Sequence, residues 1–89
     1  MSQIIRTYQD AMEFLHIAEN AFNVEAYEES AEIVEKVARY AAYESQGLSS
    51  EQQATLSKAV QGLIGRFTFC PDECLWEEVS ALADMFRNE

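Results

Sequence analysis

Ile4, Tyr8, Ala11, Leu15, Ala18 and Phe22 recur at alternating steps of four and three, the spacing that lines one face of an α-helix. This stripe predicts a first helix over residues 3–22. The stretch Asn20 to Asn23 is the break that follows, with Asn23 suited to cap the next helix. A second helix is predicted over 24–46, its inner face formed by Tyr27, Ala31, Val34, Ala38 and Ala41 and flanked by Ile33 and Val37. Its alanines allow a neighbouring helix to come close. Gly47 is placed to close it in the left-handed C-cap conformation, with Leu48 as the apolar follower. Ser49-Ser50-Glu51-Gln52 is a capping signature that opens a third helix over 50–65.

In that third helix Leu56, Val60, Leu63 and Ile64 are expected to face inward. Gly62 inside it costs about 1 kcal/mol relative to Ala, which predicts a close backbone approach or early fraying. Phe67 and Phe69 are expected to plug the core from the short connection. Pro71 then suits the first position of a fourth helix over 71–87. Asp72 and Glu73 complement its dipole, Leu75, Val79, Leu82 and Phe86 point inward, and Trp76 stands at the edge. Arg66 to Cys70 alternates apolar and polar, but is too short for a strand and has no partner. The expected fold is all-α: a compact antiparallel bundle of four helices in one domain of 89 residues.

Charge sharpens this picture. Sixteen acids against six bases leave a net charge of −10. Six glutamates lie between Glu19 and Glu35 with no base among them, and five more acids run from Asp72 to Asp84, again with none. Such a surface repels nucleic acid and anionic membrane and attracts basic partners. The six bases come singly, as Arg6, Lys36, Arg39, Lys58, Arg66 and Arg87, so direct binding of nucleic acid is disfavoured. No apolar run is long enough to span a membrane, and the N-terminal residues lack the pattern of a signal peptide. Two cysteines are too few for a disulfide scaffold, and a cytoplasmic protein with reduced thiols is expected.

Little in the chain suggests catalysis. His16 is the one histidine, on the shoulder of the first apolar face, and no motif supplies it with an orienting partner or a nucleophile. Cys70 and Cys74, four apart, are expected as a cap or loop residue and a core residue; their spacing is neither a redox motif nor half of a visible zinc site. No calcium loop and no glycine-rich phosphate loop is present. Neither a cofactor nor a metal is therefore expected, and the protein is not expected to be an enzyme.

Two surfaces stand out instead. Glu25, Glu28, Glu29, Glu32 and Glu35 share the outer side of the second helix with Tyr40 and Tyr43. Acids supply steering and tyrosine is a favoured interface anchor. On the first helix Phe14, Ile17 and Ala21 form a second apolar stripe, exposed in a simple bundle; it is buried within the monomer or a homodimer, forms a groove for another partner, or is an ordinary exposed patch.

Leu15 to Ala38, with Ala18, Tyr27 and Glu28-Glu29-Ser30-Ala31-Glu32, resembles one helix pair of a tetratricopeptide repeat. It departs from that pattern: the turn glycine is absent, the spacing is about two residues longer, and no second repeat follows. The likeness therefore assigns no function. The residues point to an acidic helical protein that binds a basic protein and inhibits or escorts it, as an inhibitor, immunity or anti-defence protein, in its sharpest form a nucleic-acid mimic. The alternative is a homodimeric assembly subunit or a small secretion chaperone.

Overall fold

The computed structural model describes residues 5–86, with Phe86 described by its backbone alone. Four α-helices follow one another: α1 (Tyr8–Asn23), α2 (Tyr27–Tyr43), α3 (Ser50–Arg66) and α4 (Glu73–Leu82). A 3-10 turn, Phe67–Phe69, joins α3 to the segment before α4, and a second, Ala83–Phe86, continues α4. No strand occurs among the described residues, and the all-α bundle is as expected.

The helix ends differ from expectation in instructive ways. α1 begins at Tyr8 rather than residue 3, because the Thr7 hydroxyl accepts from the Asp10 backbone N–H at 3.1 Å and caps the helix there. Ile4 lies outside the described residues, as does Arg87 at the far end. Asn23 caps nothing; it is the last residue of α1. The chain leaves α1 through Glu25, which holds φ at 67°. The Ala26 N–H donates to the Ala21 carbonyl at 2.8 Å and the Glu25 N–H to the Phe22 carbonyl at 3.0 Å. This pair of bonds is a Schellman closure with glutamate in the place usually taken by glycine. α2 consequently starts at Tyr27, not residue 24, and has no side-chain cap.

Gly47 does not adopt the left-handed conformation; α2 ends at Tyr43, before the glycine. The connection is closed instead by Gln53, whose side-chain amide donates to the carbonyls of Ser45 at 2.9 Å and Leu48 at 3.0 Å. The capping box at Ser49 and Gln52 forms as expected. Gly62 neither frays α3 nor admits a neighbouring backbone, since a Cβ built there would meet nothing within 4 Å. Pro71 precedes α4 rather than opening it. Asp72 is the N-cap, its Oδ1 accepting from the N–H groups of Cys74 at 3.0 Å and Leu75 at 3.4 Å.

The core is one cluster. Ala11, Leu15 and Ala18 of α1 meet Ala31, Val34, Val37 and Ala38 of α2, Leu56, Val60, Leu63 and Ile64 of α3, and Val79 of α4. Small side chains on both α1 and α2 bring those helices close, so the buried Ser30 hydroxyl reaches across to the Ala18 carbonyl at 2.7 Å. Phe67 is the plug: it is fully buried and meets the Phe22 ring edge-on at 4.9 Å, and Phe22 in turn meets Tyr27 at 5.1 Å. Phe69, expected beside it, is 85% exposed. The short turn can aim only one of two alternating rings inward.

Candidate functional site

The two acid-rich segments of the sequence meet in space. A groove of about 770 Å³ runs between α2 and α4. Glu28, Glu32 and Glu35 line its α2 side, and Asp72 and Glu78 its α4 side. These positions of α2 are spaced i, i+4, i+7, one stripe on two turns of helix. Between the acids lie Ala31, Leu75, Val79 and Leu82, which give the groove an apolar floor, and exposed Ala81 lines its edge. No Lys or Arg lines it. At one end it continues into a second depression lined by Glu25, Glu29 and Tyr27 together with Glu28, Glu32, Asp72 and Leu75.

Local structure places these side chains. Helical periodicity sets the α2 stripe on the side opposite Val37 and Ala41. The Asp72 cap fixes where α4 starts, and so sets Leu75, Val79 and Leu82 toward α2 while Glu78 stands on the rim. Asp72 has a double duty: one oxygen holds the end of α4, and the side chain also belongs to the acidic wall. At the far end of the α2 stripe, Arg39 pairs with Glu35 at 2.8 Å, both partly exposed. Such a pair adds little stability. It does bound the acidic face along α2.

The five glutamates expected to act together thus do share one side of the molecule, with Glu25 in the α1–α2 connection and the other four on α2. The tyrosines divide. Tyr43 is 56% exposed, but Tyr40 is only 6% exposed and belongs to the core. Tyr40 stands about 60° from Val37 around the helix, at the edge of the inner face, where it lines a depression together with Arg6 to Gln9. It is unsuited to anchor a partner. The residues missed by sequence are those of the α4 side: Asp72 and Glu78 as walls, Leu75 and Leu82 as floor, Ala81 at the edge. The run of acids from Asp72 to Asp84 was the available signal, but nothing local says which helix it faces.

The apolar stripe of α1 is also redrawn. Phe14 is half-buried against the core, because it stands three residues after Ala11 and four before Ala18. Ile17 is 50% exposed, and Val24, seven residues on, is 75% exposed. The exposed apolar pair is therefore Ile17 and Val24 with Ala21 between them. His16, on the shoulder of the α1 apolar face, is exposed. It borders a smaller groove between α1 and α3 with Met12, Glu19, Gly62 and Arg66. Arg66 is occupied there: it donates to Asn23 at 2.8 Å and Glu19 at 3.4 Å and lies 4.9 Å from the Phe22 ring centre.

Cys70 closes the Phe67–Phe69 turn, a cap and loop position as expected, and is buried. Cys74, expected in the core, is exposed on the groove, because it stands about 100° around α4 from the inward Leu75. Among the described residues no group of three or more His, Cys, Asp or Glu side chains is placed to hold a metal ion. The acids of the groove thus form walls along its length rather than a converging ligand set. Among the described residues no helix is long and apolar enough to cross a membrane.

Comparison with protein-family models, with curated proteins and with solved structures found no match to the chain.

Proposed function

We propose that this protein is a non-enzymatic binding protein that takes a basic protein as partner and inhibits or escorts it, with the α2–α4 groove as the binding face. The observation that carries this reading is the meeting of two base-free acidic segments, remote in sequence, across one apolar-floored groove. Solvated acids need no such arrangement; like charges on separate helices lower their repulsion by facing apart. Long-range attraction to the −10 chain brings the partner in, and contacts along the groove and at Tyr43 hold it. Inhibition of a nucleic-acid-binding machine is the sharpest form of this function, since a partner's phosphate-binding face carries the complementary charge.

The test is a tagged pull-down from cells of the native host, run at low and physiological ionic strength, with mass-spectrometric identification. The expected result is a basic protein captured by the wild type and lost with rising salt. It is lost as well with the Glu32→Lys/Glu78→Lys variant. Retention of the same partner at both salt concentrations and by that variant refutes the electrostatic mechanism.

A second reading, a homodimeric assembly subunit or a chaperone, draws on the exposed pair Ile17 and Val24. The seam would then run through those residues and not through Phe14, which serves the protein's own core. Ile17→Glu would convert a dimer to monomers in sedimentation; a wild type that is monomeric at high concentration removes this reading.

A further inference from the structure

The α2–α4 groove has the form of a seat for one more helix. Its two walls are themselves helices, its floor is a line of Ala31, Leu75, Val79 and Leu82, and its rims are acidic on both sides. A helix laid over a pair of helices packs its apolar stripe into the furrow between them. The flanks of that stripe then lie against the rims. Glu28, Glu32 and Glu35 offer carboxylates at i, i+4, i+7, which is also the spacing at which an incoming helix presents Lys or Arg along one flank. Asp72 and Glu78 meet the other flank. An acidic or neutral helix would leave these acids facing like charge or nothing. A second copy of this chain carries −10 and would bring acids to acids.

We infer that the partner segment seated in the groove is a basic amphipathic helix, with an apolar stripe flanked on both sides by Lys or Arg. This rests on the proposed function and narrows it: it names the recognised element of the basic partner as a helix rather than an extended or disordered basic tail. A small side chain at the groove's edge matters to the fit. Ala81 is exposed and lines the groove, so a large residue there obstructs the seat without disturbing the core.

The experiment uses the full chain and synthetic peptides of about 18 residues, labelled for fluorescence anisotropy at physiological salt. One peptide has a leucine stripe flanked by lysine and arginine. A second has the same composition in scrambled order, so that it is equally basic but not amphipathic. The wild type is expected to bind the first at least about tenfold more tightly than the second. Ala81→Arg and Glu32→Lys/Glu78→Lys are each expected to weaken the first peptide roughly tenfold or more, while Glu13→Lys/Glu77→Lys, of identical net charge but outside the groove, changes it only a few-fold. Circular dichroism of each variant confirms that it is folded. Equal binding of the two peptides, or equal losses in the two double variants, overturns the helix seat while leaving a basic partner standing. Failure of both peptides to bind even at low salt removes the helix seat and the basic partner together. Self-association of the wild type that Ala81→Arg abolishes would make the occupant a second copy and overturn the inference.

Discussion

The α1–α2–α3 end of the molecule and the α2–α4 side are built from opposite materials. Around Phe67 the chain brings together the rings of Phe22 and Tyr27, the buried Ser30 hydroxyl and the Arg66 side chain, and each polar group there has a partner. Across the groove α2 sets three carboxylates and the α4 side two, over a floor of apolar groups, with no base among the lining residues. One face of α2 is buried in the core, and on the other Glu35 is paired with Arg39 at the end of the acidic stripe. The bases that α2 does carry, Lys36 and Arg39, do not line the groove, so the proposed binding face is where acids of two helices gather without a base between them.

That contrast can be broken most forcefully at Phe67. Phe67→Ala should lower unfolding free energy by about 3–5 kcal/mol, measured by urea denaturation. Leu75→Ala on the groove floor, half-buried to begin with, should cost about 1 kcal/mol. Comparable losses at both sites would make the groove part of the core and erase the distinction. Ser30→Ala should remove about 1 kcal/mol, since it deletes the one hydroxyl linking α1 to α2 at Ala18. A neutral result would show that close packing alone sets that helix pair.

Two substitutions should instead stabilise. Glu25→Gly relieves a left-handed backbone at a non-glycine residue and should raise stability by about 0.5–1 kcal/mol, whereas Glu25→Val should lower it. Gly62→Ala should add about 0.5–1 kcal/mol, because its Cβ has open space and the helix gains propensity. Loss of stability on Gly62→Ala would mean that the α1–α3 side is tighter than it looks.

The smallest effect sharpens the comparison from the groove side. Glu32→Gln/Glu78→Gln should stabilise the protein by a few tenths of a kcal/mol at low salt and by less at about 0.5 M salt, where charge is screened. Thermal melts at the two salt concentrations read this difference. A destabilising outcome would show that these acids serve the fold and would remove them from the binding face.

The four helices were legible because each carries its own apolar period, and the capping box at Ser49 and the inward set of α3 needed no tertiary information. The helix ends were less legible. Thr7, Glu25 and Gln53 act through backbone geometry and single hydrogen bonds, and many side chains could in principle occupy those roles. Tyr40 and Cys74 were misplaced for one reason: each stands near the border between the inner and outer faces of its helix, where a neighbouring segment decides burial.

Taken alone, the order of residues determined the helical class, the greater part of the core and the existence of two base-free acidic segments, since these depend on period and composition. Only the tertiary structure decided that the two segments face one another, that apolar side chains floor the space between them, and that Phe67 rather than Phe69 enters the core. Those outcomes depend on how α4 docks against α2, and docking is set by contacts between residues some forty positions apart, which no local pattern encodes.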